Sequence, residues 1–122
     1  MIEITDEYMQ ARLKRVRAYP MLLLKAGPAY IPAETRPPEQ KAIILAHGRR
    51  NMQLQAEGKM PLVGPVGGVR PIVGISVFAV PLAAAKALMA EDPAVKAGIF
   101  ELEWGTWYGV PGEALPEAPS QS

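Results

Sequence analysis

The chain contains no cysteine. Disulfides, thiolate nucleophiles, zinc–cysteine clusters and iron–sulfur ligation are excluded together. It has one histidine, His47, too few for a histidine-rich metal site within a protomer, so no metal site is expected. Neither sign of charge is in excess. Thirteen basic residues face 12 acidic ones, for a net charge of +1, and nothing draws the chain as a whole toward nucleic acid or a membrane surface. No run of about 20 apolar residues could span a bilayer, and the first residues do not resemble a signal peptide. The expectation is a cytoplasmic protein with neither nucleic acid nor membrane as a partner.

What the chain does have is 122 residues, nearly half of them apolar, enough for one domain with one core. Thirteen prolines and 11 glycines punctuate it into short elements. Thr5 can cap a first helix that has Asp6 and Glu7 in its first turn and Lys14, Arg15 and Arg17 toward its end, an order that suits the helix dipole. The cluster Arg12, Lys14, Arg15 and Arg17 reads as a solvated face, because no aromatic or glycine platform accompanies it. "YPMLLLKAG" is a strand and "PAYIPAETRPPEQ" a loop. A helix then runs from about Pro38 to Glu57. "MPLVGPV" and "RPIVGISVFAV" form a hairpin around Gly67-Gly68. "PLAAAKALMAED" is a helix opened by Pro81, and "IFELEWGTWYG" is the last strand.

After the first helix the order is β-α-β-β-α-β. This is the split-βαβ, ferredoxin-like pattern: an α+β fold with two helices on one face of a four-stranded antiparallel sheet. An N-terminal helical extension (1–19) precedes the ferredoxin-like domain (20–110), and a proline-rich tail (111–122) follows that is expected to be flexible. Residues 21 to 26 are apolar on both sides apart from Lys25, and residues 72 to 80 are apolar on both sides too. A one-sided antiparallel sheet would alternate apolar with polar. Two helices cover one face only, so the other needs a cover. The N-terminal helix is one candidate, and a second copy of the sheet, as a homodimer, is the better one.

On a helical wheel His47, Asn51 and Leu54 fall within about 80° of Ile43, so His47 and Asn51 share the sheet-facing stripe, with Arg50 at its other edge. Two readings are open. The pair is structural, satisfied by nearby backbone, or it lines a cleft between helix and sheet. Gly48 is costly in a helix interior and permits close approach of backbone, a partner helix or a ligand. Asp92, followed by Pro93, has the form of an N-cap for "PAVK", yet the proposed fold also brings it toward His47, where a carboxylate would orient the imidazole for proton transfer. Glu101 and Glu103 lie on one face of the last strand and read as solvated. Trp104, Trp107 and Tyr108 read as packing or interface aromatics. "GPVGG" has no following helix and no lysine-serine signature, so it is not a phosphate loop.

"HGRRNMQLQAEGKMPLVGPVGG", then "GISVFAV", then "AEDPAVKAGIFELEW" resembles the YciI-like (YCII-related) family over roughly residues 20 to 108. The resemblance implies a dimeric α/β-barrel of two ferredoxin-like protomers, with a pocket between helices and sheet. It implies that His47 and Asp92 form an active-site pair. Similar barrels include a dehydrochlorinase, isomerases and monooxygenases acting on small, often aromatic molecules. The expected activity is proton transfer without a cofactor, on a small aromatic or lactone substrate. His47 and Asp92 would be catalytic, and Arg50 or Asn51 would anchor a substrate oxygen. The alternative is a non-catalytic dimeric module that binds a small ligand. A homodimer, or a higher oligomer built from it, is expected in both cases.

Overall fold

The computed structural model describes residues 1–117; the last five residues of the expected tail lie outside them. The elements are α1 (Asp6–Lys14), β1 (Arg17–Ala26), a short 3-10 turn (Ala33–Thr35), α2 (Pro38–Ala56), β2 (Leu62–Pro65), β3 (Ile72–Val77), α3 (Leu82–Ala90), α4 (Pro93–Lys96) and β4 (Phe100–Gly109). The chain divides into two compact units. One holds Met1–Ala18 and residues 108–117, and the other holds Tyr19–Trp107.

In the first unit α1 is capped as its sequence predicts, with the Thr5 hydroxyl accepting from the Tyr8 N–H at 3.1 Å. No residue of this helix is buried. Arg12 donates to Glu113 at 2.8 Å and Arg15 to the Pro111 carbonyl at 3.3 Å. Both groups are largely exposed, so the ion pair contributes little.

The second unit is the ferredoxin-like α+β fold. Its four strands lie in the order β2-β3-β1-β4. β3 runs antiparallel to β1 and to β2. Gly27, past the end of β1, bonds Ile99, while a Cβ on Gly105 would meet Met21, so β4 also runs antiparallel to β1. The register sets Leu22 opposite Ser76 and Ser76 opposite Val63, which puts these three on one face with Leu24 and Gly74. Leu22, Leu24, Leu54, Met60, Phe78, Met89 and Ile99 make the core on that side. Trp104 packs at 5.4 Å between ring centroids on Phe78, whereas Trp107 and Tyr108 are exposed.

The opposite face carries Met21, Leu23, Leu62, Ile75 and Val77. Ile75 is 40% exposed and Leu62 38%. The apolar character of both faces is therefore present in three dimensions. Lys25 and Glu103 pair at 3.2 Å.

β3 is shorter than its apolar run. Phe78 N–H still donates to the Pro20 carbonyl at 2.9 Å, but Pro20 has no N–H to return the bond. The ladder stops there, and Ala79 N–H turns to the Lys59 carbonyl. β2 is short as well: Pro61, which cannot donate, precedes it, and Pro65 is its last residue.

β1 leaves the sheet through Gly27, whose N–H donates to Ile99 at 2.8 Å. A Cβ at this position would stand 2.5 Å from the Gly98 carbonyl oxygen, which is backbone and has no rotamer to escape into. Gly27→Ala is expected to cost about 2 kcal/mol or more, the order of other overpacking changes, read as a lower urea midpoint at constant m-value. Unchanged stability would show that the β1–β4 exit is looser than its geometry.

Candidate active site

α2 follows Pro37-Pro38, with Pro38 at its first position, where a missing N–H is harmless. Its buried residues are Gln40, His47 and Leu54. Arg49, Gln53 and Ala56 are exposed, as the wheel requires. The stripe therefore faces the sheet and delivers His47 to its surface.

Asp92 arrives from the other helical segment. It ends the turn after α3 and caps α4, its Oδ2 accepting from the Ala94 N–H at 3.0 Å and the Val95 N–H at 3.2 Å. Both carboxylate oxygens also lie 2.9 Å from His47 Nδ1. Capping and pairing, alternatives in the sequence, coexist in one side chain. Asp92 is fully buried and His47 is 8% exposed.

The chemistry of the pair follows from its partners. Burial pushes the Asp92 carboxyl toward its neutral form, but the hydrogen bond and charge of His47, with the two amide N–H groups, outweigh that. The carboxyl is held below the usual aspartate range. An ionised carboxylate only accepts, so Nδ1 of a neutral His47 carries the ring proton and Nε2 is the free base. Asn51 Nδ2 lies 3.2 Å from Nε2, and the Phe100 ring covers the imidazole at 4.9 Å. Asn51 Oδ1 is buried and has no partner among the described residues.

This group opens onto a cavity of about 340 Å³. Leu22, Leu24, Val63, Val73, Met89 and Phe100 form apolar walls, and His47, Asn51 and Ser76 are polar points on them. Gly48 lines it as well, and a Cβ there would meet nothing within 4 Å. The close approach expected at Gly48 is to open space rather than to a backbone.

Arg50 is placed elsewhere. Its Nη2 donates to the Leu88 carbonyl near the C-terminal end of α3 at 2.6 Å, and it does not line the cavity. At about −20° on the wheel it stands across Ile43 from Asn51, which turns it toward α3. There its charge meets the negative end of that helix.

Gln40 adds a buried polar group that no sequence motif singles out. Gln40 is buried on the same stripe, its Nε2 donating to the Ala29 carbonyl and its Oε1 accepting from the Ile31 N–H, both at 2.9 Å. It ties the loop after β1 to α2 and keeps Tyr30 against Phe100. The signal was present: Gln40 lies at about 60° on the wheel, between His47 and Asn51. Among the described residues no group of three or more His, Cys, Asp or Glu side chains could hold a metal ion, and no helix is long and apolar enough to cross a membrane.

No curated protein matches the chain. The family model for the YCII-related domain matches residues 19–103, from the third residue of β1 through the first four residues of β4. That span holds β2, β3, most of β1 and the start of β4, the residues that line the cavity and both members of the buried His–Asp pair, and the chain belongs to the YCII-related domain family.

Proposed function

We propose that this protein is a small enzyme that moves a proton on a small organic substrate without a cofactor. The observation that supports it most is the fully buried Asp92 carboxylate on His47 Nδ1, with His47 among the residues that line an apolar cavity. A carboxylate so placed fixes the tautomer and stabilises the imidazolium that forms when Nε2 takes a proton. The cavity is of small-molecule size, and its apolar walls suit an aromatic or lactone ring. The substrate's O–H or acidic C–H would displace the Asn51 amide from Nε2, at 3.2 Å a long hydrogen bond. The displaced amide N–H would then be free for a substrate oxygen. The test is a turnover screen over aromatic and lactone substrates with wild type and His47→Asn in parallel. A substrate turned over equally by both would sink the reading.

A second reading has its own support. Both ring nitrogens of His47 already have partners, the pattern of a structural histidine beside a binding cavity. In that case the protein binds a small ligand without converting it, and His47→Asn lowers thermal stability while the screen finds no turnover with any substrate.

In both readings the protein is a homodimer whose second copy covers the apolar face of Met21, Leu23, Leu62 and Ile75. Light scattering at micromolar concentration is expected to give twice the chain mass, and Ile75→Glu is expected to give the monomer. A monomeric wild type would overturn the assembly.

A further inference from the structure

The flank of α2 beside the cavity carries a second feature. Ile44, Gly48 and Met52 line the cavity, and the same three residues line a groove of about 480 Å³ on the outer side of the helix. They fall between about 100° and 180° on the wheel, between the stripe with His47 and the side with Leu45 and Arg49. Cavity and groove therefore adjoin one helix flank and share these three residues. At their junction stands Gly48, where a Cβ would meet nothing.

The groove has an apolar floor and a basic rim. Leu45 is 67% exposed and Met52 71%, both on a helix whose other side is buried. Arg36, Lys41 and Arg49 stand around them. No Asp or Glu lines the cavity or the groove, in a chain whose charges otherwise balance. None of the three cations forms an ion pair among the described residues. Arg36 is held in place: its Nε donates to the Ile31 carbonyl at 2.9 Å, and its guanidinium lies 5.3 Å from the Tyr30 ring centroid. Three uncompensated cations over apolar surface repel one another mildly and attract an anion with an apolar body.

We propose that the site takes an amphipathic anion, with its apolar body in the cavity beside His47 and its carboxylate, sulfonate or phosphate held by Arg36, Lys41 and Arg49 outside Gly48. This names the ligand class of the proposed active site and rests on the cavity being a ligand site, not on turnover. Gly48 places no side chain between body and charge. The three residues shared with the cavity favour a small ligand over a peptide or a second copy, either of which would engage the groove alone.

The test compares two fluorescent probes of one aromatic skeleton, the anionic anilinonaphthalenesulfonate and the neutral phenylnaphthylamine, titrated into the intact protein. Wild type is expected to bind the sulfonate about tenfold tighter. Lys41→Glu with Arg49→Glu is expected to remove that preference and leave the neutral probe's affinity within about twofold. Reversing two charges elsewhere, Lys14→Glu with Lys86→Glu, is expected to keep the preference. Gly48→Leu, a change toward a better helix former, is expected to weaken both probes. Equal binding of the two probes by wild type, no binding of either, or an equal loss of preference in the control pair would each overturn the proposal. Turnover that survives in His47→Asn with the sulfonate preference intact would sink the proton-transfer reading and support this one. Lost preference with His47-dependent turnover would do the reverse.

Discussion

Asp92→Asn is expected to lower kcat/KM by about 10²–10⁴ on any substrate the protein turns over, and His47→Asn by a similar factor. The asparagine case is the more informative, because its shape is nearly that of aspartate. The Ala94 and Val95 N–H groups need an acceptor, so the amide oxygen of an asparagine would take Oδ2's place at the cap. Its NH₂ would then face His47 Nδ1, where the carboxylate now sits at 2.9 Å. A donor there forces Nδ1 to accept, moves the ring proton to Nε2, and leaves no base facing the cavity. Asn51 would meet that Nε2–H with its oxygen, which now has no partner. The double variant is expected to be no worse than either single one, since the two residues act as a unit. Circular dichroism should show both variants folded. Wild-type turnover in Asp92→Asn would exclude a role for the carboxylate in the chemistry.

Asp92→Ala is expected to cost about 3 kcal/mol of folding stability. Loss of an N-cap accounts for about 1 kcal/mol of this, and the unpaired buried His47 Nδ1–H for most of the rest. Asp92 is fully buried, so solvent does not screen the loss. Asp92→Asn keeps the cap and is expected to lose less. The acid limb gives a second readout. The folded carboxyl is held below its ordinary range, so its stabilisation is complete above the unfolded pKa of about 3.9 and is lost as pH falls through the lower, folded value. In urea melts taken through that window, wild type is expected to lose stability more steeply than Asp92→Asn. Parallel acid limbs would mean that the His47–Asp92 pair adds nothing ionic to the fold. Midpoints at fixed m-value check both expectations.

The legible parts of this protein are those governed by short-range physics. Thr5 and Asp92 cap through bonds to residues two or three positions on, and the cap geometry was readable from spacing alone. The 3.6-residue period of α2 places His47, Asn51 and Leu54 on one stripe, and it holds Gln40 there too, although the glutamine is masked by the polar loop residues that precede it. Strand ends were less legible. The apolar run through Phe78 and Val80 gives no hint that Pro20, far away in the chain, would end the ladder.

By itself the sequence determined the order of elements, the stripe that His47 shares and the cap that Asp92 makes, because each depends on residues within a turn or two of each other. Tertiary structure alone decided that the Asp92 carboxylate which caps α4 also meets an imidazole 45 residues earlier, that Arg50 goes to the Leu88 carbonyl and not to the cavity, and that Gly48 borders open space. Those outcomes depend on how two helices settle on one sheet face. Arg50 and Asn51 stand about 100° apart on the wheel, on either side of Ile43, and which of them faces the cavity depends on a rotation that packing sets and no local periodicity fixes.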